Sequence, residues 1–110
     1  MTYKDKLKTV LSEIKTEATL EQLIEELSEL IQASAKRLRI MRGTNPTSRT
    51  IEENTENMQE EIADVQICID LAIEAMSYNT ADGQKQIELI KQQKLSRWLD
   101  CLDTMSEFSE

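Results

Sequence analysis

The chain has 110 residues, a size that fits one domain with a modest core that would gain from self-association. Two glycines and one proline leave few breakers, and 31% charged against 39% hydrophobic residues is the balance of a soluble helical protein. A net charge of −8 disfavours polymeric nucleic acid and anionic membrane surfaces as partners, and the lack of histidine, with Cys68 and Cys101 far apart, disfavours the usual zinc sites.

No apolar run approaches the length of a membrane span and MTYKDKLKTV does not read as a signal peptide, so a cytoplasmic location is expected. A first helix is expected over about 3–17, where Leu7, Val10, Leu11 and Ile14 recur at helical spacing. Thr19 with Gln22 three residues later resembles a capping box and opens a second helix over about 19–41. Residues 42–47, Arg-Gly-Thr-Asn-Pro-Thr, read as a loop. Thr50 with Glu53 is a further capping-box pattern, opening a long third helix to about 78. Residues 79–83 read as a turn, a fourth helix runs to about 105, and the tail 106–110 is expected to fray. The fold expectation is all-α: an antiparallel four-helix bundle in a single domain over 1–110, completed by oligomerisation.

Two acidic pairs stand out, Glu26-x-x-Glu29 and Glu61-x-x-Asp64, each inside an oily helical segment. Residues three apart share a helix face, so two packed helices would gather four carboxylates in one small volume. Such a group is costly unless a cation sits in it, and an oxygen-only ligand set suits a hard divalent ion such as Mg2+. Projected at about 100° per residue, the third helix carries an apolar stripe of Met58, Ile62, Val65, Ile69, Ala72 and Met76, with Glu61 and Asp64 beside Val65 and Cys68 rather than on the polar strip of Gln66, Asp70 and Glu74. Glu26 falls at the margin of the apolar arc of the second helix, and Glu29 one step further out. On the fourth helix Lys91, Lys94 and Arg97 recur every three residues, and Lys91 and Lys94 project among Ile87, Leu95 and Trp98. Inward cations of this kind would serve as salt-bridge partners or hold phosphates.

Glu25-Glu26-Leu27-Ser28-Glu29-Leu30 followed by Glu60-Glu61-Ile62-Ala63-Asp64-Val65 resembles the E-x-x-E…E-x-x-D signature of the all-α nucleoside triphosphate pyrophosphohydrolases, the MazG-like branch above all. The resemblance spans roughly 19–99 and takes in the late Lys-x-x-Lys-x-x-Arg-Trp; the Gly-Pro loop absorbs a separation between the motifs longer than the commonest in the family. It implies Mg2+, with Mn2+ as a substitute, on Glu26, Glu29, Glu61 and Asp64. It also implies phosphate contacts from Lys94 and Arg97, with Lys91 beside them, and hydrolysis of a (d)NTP to the monophosphate and pyrophosphate in a homodimer or tetramer. Glu25 and Glu60 are candidate proton acceptors adjacent to the ligands. The alternative is a non-catalytic helical module that keeps the fold for nucleotide binding or protein interaction.

Overall fold

In the computed structural model, which describes residues 1–43, 50–76 and 82–107, the chain is all-helical, with no strand among the described residues. Among the described residues three helices follow one another: α1 (Tyr3–Arg42), α2 (Ile51–Met76) and α3 (Asp82–Glu107). Thr2 starts α1 with a reciprocal cap, its hydroxyl accepting from the Asp5 amide at 3.1 Å while the Asp5 carboxylate accepts from the Thr2 amide at 3.1 Å.

The break expected between a first and a second helix exists, but it lies at Lys15 and not at a cap on Thr19. Lys15 has φ 67° and ψ 169°, so α1 is two helical segments joined through one left-handed residue. Thr19 is inside the second segment and fully buried, and its hydroxyl donates to the Lys15 carbonyl at 2.7 Å. The Lys15 ammonium in turn donates to the Ser12 carbonyl at 2.8 Å. Both side-chain bonds lie at the break, one ending on the Lys15 carbonyl itself and the other on a carbonyl of the turn before it. At its far end α1 stops at Gly43, whose φ of 65° is open to glycine at no steric cost and whose amide donates to the Ile40 carbonyl at 3.3 Å. The rest of the expected loop, 44–47, lies outside the described residues.

The cap of α2 is the expected one: the Glu53 amide donates to the Thr50 hydroxyl at 3.2 Å, and the Asn54 amide to the Thr50 carbonyl at 3.0 Å. Residues 77–81, which include the end expected for this helix and most of the expected turn, are outside the described residues. Asp82 and Gly83, also expected in that turn, are the first residues of α3. At the other end α3 continues through Glu107, two residues into the tail expected to fray, and 108–110 are outside the described residues.

The chain divides into two units, Met1–Ala75 and Met76–Glu110. In the first, α1 beyond Lys15 runs antiparallel to α2: Ala33 meets Asn54 near one end of α2, and Glu26 and Glu29 meet Glu61 further along it. Thr19, Leu23, Glu26, Leu30, Ala33 and Arg37 on α1, and Asn54, Met58, Glu61, Val65, Cys68 and Ala72 on α2, follow the same alternation of four- and three-residue steps. That alternation keeps one narrow stripe of each helix on the seam. Ala33, Val65, Cys68, Leu71 and Ala72 are buried there. Ile62, Ile69 and Met76, expected on the buried stripe, are 40%, 41% and 60% exposed. The seam is centred on the Glu61–Val65–Cys68 line, and this turns those larger side chains outward. Ahead of the break, Leu7 is buried and the Tyr3 hydroxyl donates to the Asp70 carboxylate of α2, which raises the Tyr3 phenol above its usual value.

The second unit consists of the end of α2 and α3. Among its described residues none is buried, and Leu95 and Trp98 are 66% and 67% exposed.

Candidate metal centre

Glu26 and Glu61 occupy seam positions, each seven residues from one of the buried pair Ala33 and Asn54. Their helical phase therefore carries two carboxylates into an interface built by apolar packing. Glu29, one turn after Glu26, joins them from the flank. One carboxylate oxygen from each of Glu26, Glu29 and Glu61 lies within 4.8 Å of the others. Glu26 and Glu61 are half-buried, and Glu29 is partly exposed.

The electrostatics follow from this crowding. Glu26 Oε1 accepts from the Gln22 side-chain amide at 2.8 Å, but Glu26 Oε2 and Glu61 Oε2 are shut off from solvent without a hydrogen-bond partner. Desolvation pushes the Glu26 carboxyl above its ordinary value; the Gln22 bond opposes this, and the charges of Glu29 and Asp64 add to it. For Glu29 the largest influence, the neighbouring Glu26 carboxyl, favours the charged form; the adjacent Glu61 carboxyl, burial and the charge of Glu25 outweigh it, and the carboxyl is raised. Cys68, one heptad beyond Glu61, is a buried thiol pushed up by desolvation and then by the charges of Glu26 and Asp64. It packs as the small core residue expected from sequence.

Three of the four carboxylates expected as ligands are thus brought together. Asp64 is not in the three-residue group: it is exposed, close enough for its charge to act on Glu26 and Cys68, and three residues past Glu61 it sits at the edge of the seam. Its expected inward placement does not hold: the seam passes Glu61 and leaves Asp64 at the edge, in solvent. Glu25 and Glu60, each next to a ligand, are exposed.

The basic row belongs to the other unit. Lys91, Lys94 and Arg97 are all exposed, and Lys91 pairs with Glu88 at 3.3 Å, an i, i+3 contact on the helix surface. The expected inward placement of Lys91 and Lys94 does not hold: of the apolar residues they project among, Ile87 is half-buried, but Leu95 and Trp98 are themselves left largely in solvent.

Sequence reasoning missed two residues of this region. Gln22, which donates to Glu26, was readable as its i−4 neighbour. Asn54 is fully buried one heptad before Glu61, and the signal for it was its place in the four-and-three alternation.

The donor set suits a hard divalent cation: three carboxylates from two helices, two of them with an orphaned buried oxygen, and no nitrogen donor from histidine in the chain. No helix among the described residues is long and apolar enough to cross a membrane. Comparisons with protein families, with curated proteins and with solved structures gave no match.

Proposed function

We propose that the chain is a cytoplasmic Mg2+-dependent nucleoside triphosphate pyrophosphohydrolase of the MazG-like, all-α kind, converting a (d)NTP to the monophosphate and pyrophosphate. The observation that carries this reading is the carboxylate layer across the α1–α2 seam, with Glu26 Oε2 and Glu61 Oε2 buried and unpartnered. Placing anions on a packing seam opposes folding unless a bound cation offsets their repulsion and desolvation. Glu26, Glu29 and Glu61 would hold Mg2+ or Mn2+, with Asp64 as the fourth ligand by its place in the second motif. When bound, the cation supplies charge neutralisation at the phosphoanhydride oxygens and lowers the pKa of water.

The protein's own groups would do the rest. Glu25 and Glu60 stand beside the ligands with exposed carboxylates suited to accept a proton from the attacking water. Lys91, Lys94 and Arg97, exposed on α3, are the cations that the resemblance would assign to phosphate. Self-association into a dimer or tetramer would complete a four-helix bundle. Large apolar side chains left in water support it, among them Ile24 at 69% and Ile31 at 68% on α1.

The test is pyrophosphate release from a panel of nucleoside triphosphates with Mg2+ or Mn2+, beside Asp64→Asn. Release that depends on the cation and drops to background in the variant supports the reading; release no higher than the variant's for every nucleotide defeats it. The exposure of Asp64 favours a second reading, a module that binds cation and nucleotide without turnover. It predicts saturable nucleotide binding on the same panel and no pyrophosphate.

A further inference from the structure

Asn54 is fully buried on the α1–α2 seam, the least suitable place for a side-chain amide that lacks partners. Its Nδ2 donates to the Ala33 carbonyl at 3.3 Å, and its Oδ1 is buried with no partner. The carbonyl it meets already accepts from the amide four residues further along α1, as in any helix interior. An apolar residue at 54 would therefore orphan nothing and would remove an orphan. On stability alone the asparagine is disfavoured here.

Its place explains what it does instead. A heptad from the Ala33–Asn54 contact toward the N-terminus of α1, and a heptad toward the C-terminus of α2, are Glu26 and Glu61. Apart from the two glutamates, the neighbouring seam side chains are mostly apolar, Leu30, Met58, Val65 and Cys68 among them, and pack almost as well after a slip of the helices. The half-buried Arg37 guanidinium also donates across the seam, to the Thr55 hydroxyl at 2.7 Å, but its long side chain can follow a displaced partner or turn to water. The carboxylates repel, so in the absence of a cation they favour such a slip. A directional bond one heptad away opposes it, because a displaced seam would strand both ends of the Asn54 amide among apolar side chains. A single buried polar residue that sets register at a cost in stability is the best-attested use of such groups between helices.

We propose that Asn54 is a positioning residue: it fixes the register of α1 against α2 and so keeps Glu61 opposite Glu26 before any cation is bound. The register claim stands on the seam alone; its consequence for cation affinity rests on the metal reading above.

The experiment measures the register directly. Nitroxide labels on Ser28→Cys and Gln59→Cys, both exposed, with Cys101→Ser removing the other exposed thiol, report the distance between α1 and α2 in the cation-free chain. With Asn54 present, one narrow distance distribution is expected. In Asn54→Val, the distribution broadens or gains a population displaced by about one helical turn, ~5 Å, while the melting temperature stays level or rises by about 4 °C. Asn54→Ala, which cannot overpack, should broaden it as well. An unchanged narrow distribution in both variants overturns the proposal, and so does loss of the helical signal in both, since the asparagine would then be a stabilising residue. Titration with Mn2+ forms a separate arm. If the parent chain binds, Asn54→Val should weaken binding by the factor its displaced population sets, about twofold when half the chains are displaced, and unchanged affinity beside a displaced population counts against the proposal. If the parent does not bind, the metal reading fails, and the distance arm still decides the role of Asn54.

Discussion

Replacing Lys15 by glycine should make the protein more stable, although the same change almost anywhere else in a 40-residue helix weakens it. At φ 67° and ψ 169° Lys15 stands in a region of backbone space that is nearly glycine-only. A side chain held there costs on the order of 1–3 kcal/mol. Glycine removes that strain but gives the unfolded chain more freedom, worth roughly 0.5–1 kcal/mol. The exposed bond from the Lys15 ammonium to the Ser12 carbonyl is lost as well, about 0.5 kcal/mol at such a site. The middle of these ranges leaves a net gain of ~1 kcal/mol, or about 4 °C in melting temperature for a chain of this size. Lys15→Ala is the decisive companion, because alanine keeps the Cβ and hence the strain. In a regular helix glycine is less stable than alanine by about 1 kcal/mol; at this position the order should invert. Urea denaturation of the two variants, with the midpoints compared at equal slope, gives the answer. Alanine more stable than glycine at position 15 would mean that the ladder runs unbroken through Lys15, and the reasoning about the kink would fall.

Two further outcomes follow from the same physics. Glu26 and Glu29 titrate above their ordinary value in the folded chain, so as pH rises the unfolded chain ionises first. Their contribution is therefore most favourable below the ordinary carboxylate range and is lost as pH rises through the raised folded values. Thermal melts in EDTA should show Glu26→Gln gaining stability relative to the parent between pH 4 and 7, and a gap that stays constant with pH would contradict the crowding. Asp5, held below its usual value by its cap bonds to Thr2, drives the opposite trend in both chains and cancels in the comparison. Thr50→Ala removes the hydroxyl that caps α2 and should cost about 1 kcal/mol, read as a lower urea midpoint; no change would show that α2 starts without that cap.

Residue types that act through their own backbone or side-chain chemistry were legible in the sequence. Thr50 with Glu53 announced the start of α2, and Gly43 the end of α1. The Thr19–Gln22 pattern carried the same signature as Thr50–Glu53, yet Thr19 donates backward to a carbonyl inside a helix. The real break falls on a lysine, a residue with no turn preference, so local chemistry gave no sign of it. At the site, helical phase placed Glu61 next to Val65 and Cys68, and that is where it lies. Phase alone cannot tell which side of an almost wholly apolar circumference faces the partner helix. Ile62, Ile69 and Asp64 therefore read as inward, and all three lie exposed. A hydrophobic pattern counts the Asn54 amide as surface, whereas its neighbours across the seam determine that it is buried.

The central claim is that Glu26, Glu29 and Glu61 form a cation-binding layer between α1 and α2. Calorimetric titration of the metal-free chain with Mn2+ at neutral pH, beside Glu61→Gln, tests it most directly. The account predicts saturable binding to the parent chain and its loss in a variant that remains helical. Equal binding to both chains, or no binding to the parent, would contradict it.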